Sequence, residues 1–131
     1  MPVHTTWENS EQPIIRYTFT DPWTWDHFYA ALEQGRQLRE ACGLPTINII
    51  VDVSGSRHLC DGAMSHFGGL FRRGIAGETA IDSIVVFGAN QFMLSVANVL
   101  TRVYPIVARQ IRFVPSVDQA YAFLRQKDVT P

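Results

Sequence analysis

The chain has 131 residues, 47% of them hydrophobic and 18% charged, with a formal net charge of -1. That length fits one domain over residues 1–131, and that composition builds a core, which excludes a disordered chain. The near-neutral balance excludes a basic nucleic-acid module, and no apolar run approaches the roughly 20 residues that span a bilayer.

Met1 to Glu11 carries no Lys or Arg and no apolar block, so no secretory signal is expected there. Cys42 and Cys60 are too few for a disulfide framework, and a cytoplasmic protein is the expectation. Val3 to Glu8 alternates weakly and reads as a short strand. The polar turn Asn9 to Pro13 separates it from Ile14 to Thr20, whose β-branched and aromatic residues make a second strand. The two form a hairpin with a loop longer than a tight turn.

Asp21-Pro22 opens a helix, with Asp as N-cap and Pro at the first helical position; Thr24 is an equal candidate for the cap. Phe28, Leu32, Gly35, Leu38 and Cys42 recur at helical spacing, and Gly43 supplies the left-handed stop. Ile47 to Val53 is a near-continuous apolar run, suited to a central strand covered on both faces. Ser54-Gly55-Ser56 ends it. A second helix fits Asp61 to Arg73, with Met64, Phe67, Leu70 and Phe71 inward. Its Gly68-Gly69 pair weakens it by roughly 1 kcal/mol per glycine relative to Ala.

Ile81 to Phe87 is the next apolar strand, closed by Gly88-Ala89. Asn90 caps a helix over Gln91 to Tyr104, whose polar stripe is only Gln91, Ser95, Asn98 and Arg102. A helix so apolar is expected to be buried on both sides, with a homodimer contact near its outer side. Pro105 stops it. Ile111 to Val114 is the last strand, and Ser116-Val117-Asp118-Gln119 is a capping box before Ala120, Phe123 and Leu124. The order β-β-α-β-α-β-α-β-α predicts an α/β domain: a mostly parallel five-stranded sheet flanked by four helices.

Ligands of open α/β sheets sit at the carboxyl ends of the parallel strands. The richest loop there is Ser54 to Asp61, with Ser54, Ser56, Arg57, His58, Cys60 and Asp61 as the candidate partner-binding residues. It leads into a helix N-terminus, where free N–H groups favour an anion. His58, Cys60 and Asp61 are metal-ligand types, but their spacing matches no zinc pattern, so no metal is expected. A Cys60–His58 pair is conceivable, but residues two apart seldom come within hydrogen-bond reach; Cys60 with His66 is the better geometric pair for a hydrolase or transferase, and an inert cysteine is the alternative. There is no phosphate-cradling glycine motif, so no nucleotide cofactor is expected.

Arg72-Arg73 suits a helix C-terminus or an acidic partner. Trp7, Trp23 and Trp25 suit either core packing or an aromatic-lined small-molecule pocket. Asp52 closes an apolar strand as a phosphoacceptor would, but that chemistry needs a late-strand lysine, and Lys127 is the only lysine.

Taken together, Ile49 to Ser54, Ile84 to Gly88 and Phe113 to Ala120 give the chain its resemblance to the STAS domain, in particular its SpoIIAA-like branch. The resemblance runs from about Ile14 to Arg125. It implies a non-enzymatic regulatory module that binds a protein partner, a kinase-like anti-sigma factor, through the loop before the second helix. In the antagonist branch a serine there is phosphorylated. Asp52-Val53-Ser54 matches the first part of that motif, but Leu59-Cys60-Asp61-Gly62-Ala63 stands where the second part belongs. The acceptor serine is replaced by Asp61, Gly62 or Ala63. Asp61 then reads either as the N-cap of the helix or as a fixed negative charge at its start. The resemblance also implies an alternative, a small apolar-ligand or lipid-binding protein.

Overall fold

A computed structural model describes residues 2–9, 13–43, 46–58, 61–72 and 81–129. β1 (Val3–Asn9) and β2 (Pro13–Thr20) pair antiparallel, in register from Val3 opposite Phe19 to Asn9 opposite Pro13. β3 (Ile47–Gly55), β4 (Ile81–Phe87) and β5 (Ile111–Val114) then add in sequence order, each parallel to its neighbour. The domain is α/β, and its five-stranded sheet is mixed, in the order β1-β2-β3-β4-β5.

Local chemistry sets the helix ends. α1 (Trp25–Cys42) is capped by Thr24, not Asp21: Thr24 accepts from the His27 N–H, and the His27 ring bonds back to the Thr24 N–H. Asp21 is occupied elsewhere, holding the loop after β3. Gly43, at φ 66°, ends α1. α2 (Ala63–Arg72) begins two residues later than expected, because Gly62, at φ 83°, takes the cap position and its carbonyl accepts from His66. Asp61 is therefore not the N-cap. Arg73 lies outside the described residues.

α3 (Gln91–Val103) is capped by Asn90 as expected. Pro105 ends it but also starts a further short helix, α4 (Pro105–Gln110), because proline suits a first helical turn. The described residues thus hold five helices where four were expected. α5 (Val117–Val129) follows Ser116, whose hydroxyl accepts from the Gln119 N–H.

Right-handed crossovers between strands added in one direction place their helices on one face. The packing agrees. Phe28 and Ala31 of α1 and Leu70 of α2 share a core with Ile15, Tyr17, Phe19 and Ile49. Ala120 and Leu124 of α5 cover the other face, against Ile14, Ile50, Val85 and Phe87. Gly35 lets α1 approach the sheet, since a Cβ there would lie 1.9 Å from the Tyr17 hydroxyl.

α3 is not buried on both sides. Met93 and Leu100 point inward, while Phe92, Val99 and Val103 form a stripe that is 61%, 46% and 58% exposed. No helix among the described residues is long and apolar enough to cross a membrane.

Candidate functional site

The carboxyl ends of β3 and β4 meet closely. Gly88 sits at φ 84°, and a Cβ there would lie 2.6 Å from the Ser54 nitrogen. Asp52, near the end of β3, accepts from the Ser54 N–H at 2.9 Å and the Ser54 hydroxyl at 2.6 Å, and from Arg16 at 2.9 Å. Burial pushes the Asp52 carboxyl up, but the Ser54 and Arg16 donors together outweigh it and hold it below the usual carboxylate range. Arg16 also lies 3.4 Å from the Tyr121 hydroxyl of α5, which donates to Glu8 of β1 at 2.6 Å. This chain of polar groups ties three strands to α5. Asp52 is a brace, with both carboxylate oxygens engaged.

The loop after β3 is clamped from two sides. The Arg57 N–H donates to Asp21 at 2.7 Å, and the Asn90 side chain donates to the Arg57 carbonyl at 2.8 Å. That Arg57 N–H, more than the Ser56 hydroxyl, holds the Asp21 carboxyl below its usual range. Ser56 is only 3% exposed. Its hydroxyl oxygen accepts from the Trp23 indole at 2.9 Å and reaches both Asp21 and the His58 carbonyl as a donor. Of the candidate partner-binding residues, Ser54, Arg57, His58 and Asp61 are exposed, Ser56 lies beneath them, and Cys60 lies outside the described residues.

His66, one turn into α2, meets aromatic neighbours. Its Nδ1 is 2.7 Å from the Tyr29 hydroxyl, and its ring stacks on Trp25 at 4.2 Å. The Trp25 indole in turn donates to the Asp61 carbonyl at 2.7 Å. These contacts join the start of α1 to the start of α2. Among the described residues, no three His, Cys, Asp or Glu side chains gather to hold a metal ion.

Beneath this loop lies a feature the sequence pattern did not expose. The face covered by α1, α2 and α3 contains a cavity of about 230 Å³. Its walls include Trp23 and Phe28 from the α1 side, Val51 and Val86 from the sheet, and Met93 and Ala97 from α3. Burial across the sheet shows its effect. Ile50 and Val85, on the α5 face, are completely buried. Their neighbours Val51, Ile84 and Val86, turned to the other face at the sheet centre, are only half-buried although three helices stand over them. Phe113 of β5 also lines the cavity and stays 36% exposed, which marks the β5 edge as its open side.

The walls are almost entirely hydrocarbon, and no Asp, Glu, Lys, Arg or His contributes to them among the described residues. Tyr17 lines the cavity too, and burial pushes its phenol up to about 12, so it stays neutral at any physiological pH. Such an arrangement offers apolar surface with a few hydroxyls among its described residues: Ser56 at its loop end, Tyr17 and Thr101. Of Trp7, Trp23 and Trp25, the aromatic residues expected either in the core or around a small-molecule pocket, Trp23 lines the cavity and the other two do not. No family model matches the chain, and neither a curated protein nor a solved structure matches it.

Proposed function

We propose that the protein is a non-enzymatic binding module that holds a small apolar molecule between its sheet and α1–α3. One observation carries this reading: the 230 Å³ apolar cavity under the half-buried centre of the sheet. Water that enters through the open side meets almost no polar partner on these walls. A ligand that fills the cavity recovers the missing dispersion contacts.

The test is thermal. Indene, a neutral hydrocarbon, raises the melting temperature in a dose-dependent way, because a ligand at 100 times its Kd adds about 2.7 kcal/mol to the folded state. No rise up to the solubility limit of indene would contradict the reading.

A second reading is favoured by the clamped loop. Asp21 and Asn90 fix the backbone of Arg57 while its side chain and that of His58 stay exposed. A regulatory module resembling anti-sigma-factor antagonists would present Ser54, Arg57, His58 and Asp61 to a kinase-like partner, with Asp61 as a fixed charge in place of a phosphorylated serine. Asp61→Asn separates the roles. Since Asp61 does not cap α2, the variant keeps its stability, and only a charge-dependent interface loses the partner. Unchanged affinity for a kinase-like anti-sigma factor would sink this reading. The alternative of a thiol hydrolase or transferase using Cys60 and His66 would use the Nε2 of His66, since its Nδ1 faces Tyr29.

A further inference from the structure

We infer that the cavity takes the hydrocarbon chain of a single-chain carboxylate, tail first from the β5 edge, and leaves the anionic head in water at its mouth, beside Arg102 and Arg109. The inference rests on the binding reading above and adds the ligand's charge, the place of its polar end and its direction of entry.

The open side sets the direction. β5 is an edge strand, and its Ile111 and Phe113 line the cavity. Phe113 is partly exposed, so the cavity meets water there. Across from it stands α3. At about 100° per residue, Ala97 and Thr101 fall on one flank of α3, and Phe92, Val99 and Val103 fall on the other. A right-handed crossover from β4 to β5 turns the first flank toward β5. The lining agrees: Ala97 and Thr101 belong to the cavity, and Phe92, Val99 and Val103 do not. The mouth therefore lies between Thr101 of α3 and the Ile111–Phe113 stretch of β5.

The walls set what enters. They are nearly all hydrocarbon and supply no charged side chain among the described residues, so a chain goes in and a charged head stays in water. An apolar cavity of about 150 Å³ takes benzene, with six carbons. A cavity of about 230 Å³ in proportion takes about nine, which is the tail of a ten-carbon acid.

The rim sets the sign of the head. Arg102 follows Thr101 directly, and Arg109 precedes Ile111 by two residues; both side chains are exposed. Neither forms an ion pair with a described residue. Residues 83–117, which contain all of α3, α4 and β5, hold no Asp, Glu or Lys. Their third arginine, Arg112, turns to the α5 face, 4.5 Å from the centre of the Phe123 ring. The two elements that frame the mouth, and the short helix between them, thus carry positive charge only. Such a rim attracts a carboxylate and repels an ammonium.

Calorimetry at pH 7 with indene, decanoate and decylammonium, the last two below their micelle-forming concentrations, tests this. Decanoate binds about 3- to 10-fold more tightly than decylammonium at low salt, the range for two exposed charge contacts. The ratio falls toward one at about 1 M salt, where the screening length is about 3 Å. Decanoate displaces indene, because its tail occupies the same space. Arg102→Gln combined with Arg109→Gln brings the two amphiphiles within about twofold of each other and leaves the indene affinity unchanged. Decanoate that binds no more tightly than decylammonium, or that binds without displacing indene, overturns the inference; indene binding in the same experiment leaves the binding reading standing. A preference for decanoate that survives the double substitution overturns it as well, since the charge that selects the head then lies elsewhere. Failure of all three probes overturns both readings. The comparison of probes on the wild type needs no variant, so poor folding of the double variant does not remove the test.

Discussion

Ala97→Leu should stabilise this protein, the reverse of what the same change does in a filled core. Ala97 lies on the inner side of α3, half-buried, against the cavity. Leucine adds three carbons to apolar surroundings, each contributing about 0.8 kcal/mol on burial. Ordering the new side chain costs about 0.5–1 kcal/mol. Ala and Leu have similar helix propensity, so the backbone of α3 is indifferent to the change. The net gain is about 1.5 kcal/mol, or roughly 5 °C in Tm for a domain of this length. In a close-packed interior the same insertion forces side chains off their rotamers and costs about 1–3 kcal/mol. The sign alone therefore decides. Thermal unfolding followed by circular dichroism, with and without indene, gives both readouts: a higher Tm for the variant, and an indene-induced shift smaller than that of the wild type. A Tm several degrees below wild type would mean that the space is already filled, and the cavity argument would be wrong.

Three further outcomes follow from the same geometry. Asp52→Asn removes a charged acceptor from Ser54 and Arg16 and should cost about 1–3 kcal/mol. Because folding lowers the Asp52 pKa, its stabilisation is full above the unfolded value, about 3.9, and is lost as pH falls through the folded value. Urea midpoints measured from pH 7 down to pH 2 should show that acid-dependent loss in the wild type and less of it in the variant; parallel curves would refute the role given to Asp52. A homodimer built on the α3 stripe predicts that Val99→Lys lowers the sedimentation mass to that of a monomer, whereas a monomeric wild type at high concentration would contradict it. The non-enzymatic reading expects Cys60 to alkylate at the rate of an ordinary unactivated thiol, and a much faster reaction at pH 6 would favour the hydrolase or transferase alternative.

The elements were legible because each carries a local signal. The apolar run at Ile47 to Val53 became a central strand, and Asn90 and Ser116 capped the helices they precede. Errors arose where two residues could fill one role. Asp21 and Thr24 are both good caps, and only the fold reveals that Asp21 is taken by the Arg57 N–H across the sheet end. Asp61 lost the α2 cap to Gly62, which stands directly before the helix at φ 83° and whose carbonyl accepts from His66. Pro105 reads as a stop in the sequence, but proline also suits the first turn of the next helix, α4. The richness of α3 in apolar residues suggested burial on every side, but a helix lying on one face of a sheet buries only the residues that point down.

The candidate loop was found because polar residues gathered at strand ends in the sequence. The cavity was not, because it depends on the distance at which three helices stand from the sheet, a tertiary quantity with no local pattern. Ser56 shows both sides of this. Its place in the loop was read from sequence, while its burial and its contact with Trp23 come from residues 33 positions apart.

The most direct test of the ligand-binding account is a methyl-resolved NMR titration with indene on protein labelled at Ile, Leu and Val. The account predicts shifts at Val51, Ile84, Val86 and Leu100, which face the cavity, and none at Ile14, Ile50, Val85 and Leu124 on the α5 face. Shifts confined to the α5 face, or no shifts at saturation, would contradict it.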